Sequence, residues 1–139
     1  MMNILVIDGQ GGNIGRQLVK LICERIPGVN VTAVGTNSTA TSNMLKGGDV
    51  SGATGENAVV VGCRRADVIV GPMGIVVADS LLGEVSPKMA TAVGQSKALR
   101  VLIPMSKCDT VVAGVSDSPV SVLIEDAVGK IAAFIKKTS

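Results

Sequence analysis

The chain has 139 residues, 13 of them basic and 11 acidic, for a net charge of +2. It carries no histidine, tryptophan or tyrosine and one phenylalanine, although 47% of it is hydrophobic. The small charge and the missing aromatic platform argue against nucleic-acid and membrane-surface binding. The missing histidine excludes His-based acid/base, nucleophile and metal-ligand chemistry, and the missing tyrosine excludes a Tyr/Lys proton relay.

One domain spanning 1–139 suits this length, and its core must be built from Val, Ile, Leu, Met and Ala. A mean hydropathy of +0.49 is high for a soluble monomer. The surplus apolar surface points to a subunit interface and so to a homo-oligomer. Asp8 interrupts the first apolar run, and the longest one, 68–78, holds Gly and Pro and is too short to span a bilayer. Cys23, Cys63 and Cys108 are odd in number and far apart. Reduced thiols and a cytoplasmic location are therefore expected.

Residues 3–7 read as a short strand buried on both faces. Ile14, Leu18, Leu21, Ile22 and Ile26 then share one helical stripe, which Pro27 and Gly28 end. Residues 29–34 form a second strand, and a crossover of this size implies a parallel pair. A short helix over 39–46 follows, closed by Gly47 and Gly48. Thr54 suits the cap of a helix reaching about Arg65, and residues 66–72 read as the third strand. Residues 74–79 read as another strand or as the start of a helix, with their β-branched content favouring strand. Ser86 and Pro87 start a helix to about Ser96, and residues 98–104 form a buried strand. Residues 110–115 read as its antiparallel partner at the sheet edge. Ser118 and Pro119 open the last helix, whose apolar stripe runs from Val120 to Ile135. The fold class is α/β: a three-layer α/β/α Rossmann-like domain with a mostly parallel sheet and an antiparallel edge hairpin.

The strand at 3–7 runs into Gly9, Gln10, Gly11, Gly12, Asn13, Ile14 and Gly15 before the first helix. The strict Gly-x-Gly-x-x-Gly pattern fails at Ile14, but its logic survives. Early glycines allow a tight turn and close approach of a phosphate, and Gly15 lets the helix pack against the strand. Free amides at the helix start would hold the anion. The alternative is a β-α turn with no ligand. Asp8 sets a negative charge beside this loop, to be offset by Arg16 or a metal. No carboxylate ends the second strand to hold a ribose. Thr36, Asn37 and Ser38 stand there instead, either to bond a ribose or to cap the next helix. Gly71, Pro72 and Met73 end the third strand. In an open α/β sheet these three groups converge on one crevice.

Residues 51–57 form a second small-residue loop, read as a cap at Thr54 or an anion nest. Asp8, Asp79, Glu84, Lys107 and Cys108 are the chemical groups near the same sheet edge. Lys107 beside Cys108 would lower the thiol pKa, against the alternative of an idle thiol in an exposed turn. Cys23 and Cys63 read as small apolar filler.

The motifs IDGQGGNIG, GTNSTATSNMLKGG, GATGENAVVV, ADVIVGPMGIVVADSLLGEVSP and LIPMSKC resemble those of a family of small bacterial proteins of unknown function. That family is similar to NAD(P)-binding Rossmann proteins. The resemblance covers nearly the whole chain and implies the fold; NAD or NADP is the one cofactor it suggests, and the ligand is otherwise open. It carries no reaction or catalytic residue. The reading it leaves is a self-associating protein that binds a nucleotide or phosphorylated small molecule at residues 9–15, as a sensor or carrier. The alternatives are a minimal NAD(P)-dependent reductase or Asp/Lys-based enzyme, and a structural subunit without a ligand.

Overall fold

The structure, a computed structural model, describes residues 1–105 and 109–138. Its sheet is built from β1 (Asn3–Asp8), β2 (Asn30–Gly35), β3 (Ser51–Thr54), β4 (Val68–Pro72) and β5 (Leu99–Ile103). All described pairs are parallel, in the order β3-β2-β1-β4-β5. The helices are α1 (Asn13–Arg25), α2 (Ser38–Leu45), α3 (Glu56–Arg65), α4 (Pro87–Gln95) and α5 (Val120–Thr138). The chain steps outward from β1 to β3, then returns to place β4 on the other side of β1. Strand order therefore reverses between β1 and β4, the position at which open α/β sheets place their ligand crevices.

Alternation within the strands divides the core. Ile4, Val6, Val68 and Val70 meet Leu18, Val19 and Ile22 of α1, Met44 of α2, and Ile124, Val128 and Ile131 of α5. Leu5, Ile7 and Ile69 meet Val59 and Cys63 of α3 and Met89 and Val93 of α4 on the opposite face. Successive strand side chains point to opposite faces, so a central strand covered on both sides must be apolar at every position. Each fully buried Leu or Ile contributes about 1.5–3 kcal/mol of transfer free energy.

Four readings are corrected. Residues 110–115 form no strand, so the antiparallel edge hairpin is absent and β5 is the edge. Val111 is 88% exposed and Gly114 sits at φ 80° in a turn, so the β-branched residues there find no neighbouring ladder. Of the two readings of 74–79, the strand fails: Met73–Val76 is a single 3-10 turn. The segment expected to be a loop at 51–57 instead begins with β3, paired to β2 from Thr32↔Ser51 to Gly35↔Thr54. Helix α3 starts after Gly55, and the Thr54 hydroxyl faces Thr41 Oγ1 at 2.7 Å instead of capping. The expected cap at Ser86 is present, with its hydroxyl accepting the Met89 amide at 3.2 Å. No described helix is long and apolar enough to cross a membrane.

Candidate functional site

The loop at 9–15 leaves β1 through a buried carboxylate. Asp8, 5% exposed, accepts the Gly9 amide on Oδ1 at 2.8 Å and the Gly15 amide on Oδ2 at 2.7 Å. Gly12 precedes α1 in the left-handed region at φ 74° and supplies no side-chain cap. Asp8 caps the helix from seven residues back, and a negative group suits that end of the dipole. Burial raises the Asp8 pKa most strongly, the Gly15 and Gly9 amides oppose it, and the nearby charge of Glu84 adds to the rise. The expected offset by Arg16 is not made, because its guanidinium donates to Asn43 Oδ1 at 3.3 Å.

A second carboxylate enters from the segment between β4 and α4. Glu84 Oε1 accepts from the Gln10 amide at 2.8 Å, Thr36 Oγ1 at 2.7 Å and Asn37 Nδ2 at 2.7 Å. Partial burial works to raise the Glu84 pKa, but these three donors outweigh it and hold the group below its ordinary value. Asn37 serves twice, since its Oδ1 also accepts the Ala40 amide at 2.8 Å as the cap of α2. Of the two roles weighed for 36–38, the helix cap is made by Asn37 Oδ1, while the donors Thr36 Oγ1 and Asn37 Nδ2 are taken by Glu84. Ser38 is exposed at the first position of α2.

The outer carbonyls of the loop are held by α2. Asn37 Nδ2 donates to Gln10 O at 3.0 Å, and Asn43 Nδ2 donates to Gly11 O at 2.8 Å. The Gly12 amide turns inward to Gly9 O at 2.9 Å. Of the loop's amides, Gly9, Gln10, Gly12 and Gly15 are therefore occupied. Those of Gly11, Asn13 and Ile14 meet no acceptor among the described residues.

The loop's glycines have different causes. A Cβ on Gly12 would lie 2.6 Å from Ala40 O, and one on Gly15 would lie 2.7 Å from Met44 Cγ. A Cβ on Gly9 would lie 2.7 Å from Leu81 Cδ1 and 3.0 Å from Glu84 Oε1. Packing confines all three, Gly12 against backbone and Gly9 and Gly15 against side chains. Gly11 is not confined, for a Cβ there meets only Asn13 Nδ2 at 3.8 Å.

Gly71 and Pro72 are buried at the end of β4, and Met73 borders a cavity of about 20 Å³ with Leu81 and Met105. Pro72 and Met73 share that cavity with Val77 and Leu81 of the 77–85 segment. The three groups expected around an open crevice are joined instead by that segment, with Glu84 linking Gln10 to Thr36 and Asn37. Glu84 was legible as a charge near this edge, but nothing in the sequence gives its reach across β1 to the end of β2. Lys107 and Cys108 lie outside the described residues. Asp79 is exposed, and its amide donates to Val85 O at 2.7 Å.

Larger recesses lie elsewhere. A groove of about 600 Å³ between α3 and α4 is bordered by Cys63, Arg64, Lys88 and Lys97. Burial pushes the Cys63 thiol up to about 11, so it is an inert apolar group; Cys23, expected as filler, is exposed. Among the described residues no group of three or more Cys, Asp or Glu could hold a metal ion.

A domain of unknown function, DUF3842, matches residues 3–136. The chain belongs to that family. No curated protein matches it. Among solved structures, the chain is similar to a dodecameric FMN-dependent UbiX-like decarboxylase from Escherichia coli O157:H7. That match has a TM-score of 0.45 and 19% identity over 94% of this chain and 76% of the other. It is also similar to an FMN-dependent cysteine decarboxylase, TvaF, of thioviridamide biosynthesis, with a TM-score of 0.48 and 12% identity over 94% and 86%. An arsenate reductase in an intermediate state matches with a TM-score of 0.40 and 15% identity over 97% and 99%.

Proposed function

We propose that this DUF3842 protein binds the anionic group of a nucleotide or other phosphorylated small molecule at the C-terminal edge of its sheet, as a sensor or carrier. The observation that carries the reading is the convergence of Gln10 N, Thr36 Oγ1 and Asn37 Nδ2 on one anionic oxygen. Three donors from two loops, aimed at a single point beside the strand-order reversal, form a receptor for an oxyanion. The unpartnered amides of Gly11, Asn13 and Ile14 stand at the neighbouring helix start, where anions are favoured. Gly11 adds support, since a glycine that the fold does not require leaves room for a ligand.

The test is thermal shift with NAD, NADP, FMN, ATP and inorganic pyrophosphate, on the native chain and on Gly11→Asp. A ligand at 100 times its Kd stabilises by about 2.7 kcal/mol. One class of ligand is expected to stabilise the native chain and to leave Gly11→Asp unmoved. No stabilisation by any of them, or equal stabilisation of both chains, overturns the reading.

A second reading, self-association, rests on a different observation. Val111, Val115 and Val120 border an open groove of about 310 Å³, and Val122 is exposed on the first turn of the adjoining α5. A homo-oligomer that covers this groove accounts for the high hydropathy of the chain.

A further inference from the structure

From the path of residues 77–85 we infer that this segment is a latch, closed over the anion site by Glu84, which must leave the site for a ligand to enter. The inference rests on the anion-site reading above and adds its regulation. Glu84 Oε1 occupies the three donors that an incoming oxyanion would need. A carboxylate and a phosphate oxygen cannot share one set of donors, and their like charges repel. Closure and ligand binding are therefore competing states of one site.

The backbone of the segment carries strain. Asp79, Leu81 and Leu82 lie at φ 67°, 54° and 58°, followed by Gly83 at 88°. Side-chain-bearing residues pay a steric cost in the left-handed region, and three of them in four positions persist only when surrounding contacts enforce it. Two contacts do so. Leu81 is buried, its Cδ1 close above the Cα of Gly9, and Glu84 makes its three hydrogen bonds. Leu82, between them, is 94% exposed and contributes strain with little burial. The segment bonds mainly to itself, with Gly83 N donating to Asp79 O at 3.1 Å, Glu84 N to Leu81 O at 3.2 Å and Val85 N to Ser80 O at 3.2 Å. Its two ends stay anchored, with Ser80, Leu81 and Val85 buried and the Ser80 hydroxyl donating to Gly74 O, so the part that lifts once Glu84 lets go is the exposed tip at 82–84.

Two variants move the latch in opposite directions. Glu84→Ala removes the carboxylate and favours the open state. Leu82→Gly relieves backbone strain and favours the closed one. The experiment measures the Kd for inorganic pyrophosphate and for ATP on the native chain and both variants, alongside hydrogen exchange of 77–85. Glu84→Ala is expected to bind at least about tenfold tighter than the native chain and Leu82→Gly severalfold weaker. Exchange of 77–85 should be faster in Glu84→Ala and, in the native chain, faster with ligand bound. Equal affinity of all three chains, with binding still lost in Gly11→Asp, overturns the latch and leaves the anion site standing. No binding of either probe to the native chain or to Glu84→Ala overturns both.

Discussion

The Asp8 carboxylate reaches across seven residues of its own chain to accept the Gly15 amide at 2.7 Å, and so fixes the start of α1 without any residue of the helix serving as cap. Its other oxygen takes the Gly9 amide. An asparagine offers one acceptor where two are used, so Asp8→Asn leaves one amide unpaired. The expected cost is about 1–3 kcal/mol, measured by urea denaturation at neutral pH.

Asp8 and Glu84 should also give opposite pH dependences. Burial, the largest influence on Asp8, raises its folded pKa above the ordinary 3.8. The folded chain then binds that proton more tightly than the unfolded chain, so this contribution to stability grows as pH falls through the folded pKa towards 3.8. Burial works to raise Glu84 too, but the Gln10, Thr36 and Asn37 donors prevail and set its folded pKa below 4.5. Its contribution is complete above 4.5 and is lost as pH falls through the folded pKa. Denaturation of the native chain, Asp8→Asn and Glu84→Gln across the acid range checks both signs. The native lead over Asp8→Asn should widen on acidification, while the lead over Glu84→Gln should shrink. Leads that move together would contradict the assignment.

The loop's glycines should separate by tolerance. Gly12→Ala combines a left-handed φ of 74° with a methyl 2.6 Å from Ala40 O, a cost of about 2–4 kcal/mol. Gly15→Ala presses on Met44, whose flexible end can yield, and should cost about 1–3 kcal/mol. Gly11→Ala should stay within about 0.5 kcal/mol of the native chain, as an exposed position with no clash does. Denaturation midpoints for the three variants give the order, and a large loss at Gly11 would show that the fold needs that glycine too.

The valine groove should decide the state of assembly. Val111 and Val122 are exposed in the single chain, so Val111→Lys with Val122→Lys leaves its fold intact. Light scattering is expected to find an oligomer in the native protein and a smaller species in the double variant. A native monomer, or an oligomer that the lysines do not disturb, would place any interface elsewhere.

What the sequence made legible follows from where the physics is local. Apolar runs such as 3–7 and the stripe of Leu18 and Ile22 announce a central strand and the helix covering it, and Ser86 with Pro87 marks a helix start. β3 was hidden because SGAT has no apolar pattern and is exposed at every position; only pairing with β2 makes it a strand. The opposite error fell at 110–115, where β-branched residues lack a neighbouring strand. The glycine loop was visible, yet the occupants of its amides were not. Asp8 seemed a charge needing a counterion and proves to be the helix cap. Glu84 reaches Gln10 across 74 positions, a distance no local pattern encodes.

The most direct test of the central claim is an amide-resolved NMR titration of the native chain with ATP and inorganic pyrophosphate. An anion held at this edge is expected to shift the amides of Gly11, Asn13 and Ile14 first, together with Gln10 and the Thr36 and Asn37 signals as Glu84 is displaced. An unchanged spectrum at millimolar ligand, or shifts confined to the basic groove at Arg64, Lys88 and Lys97, would contradict it.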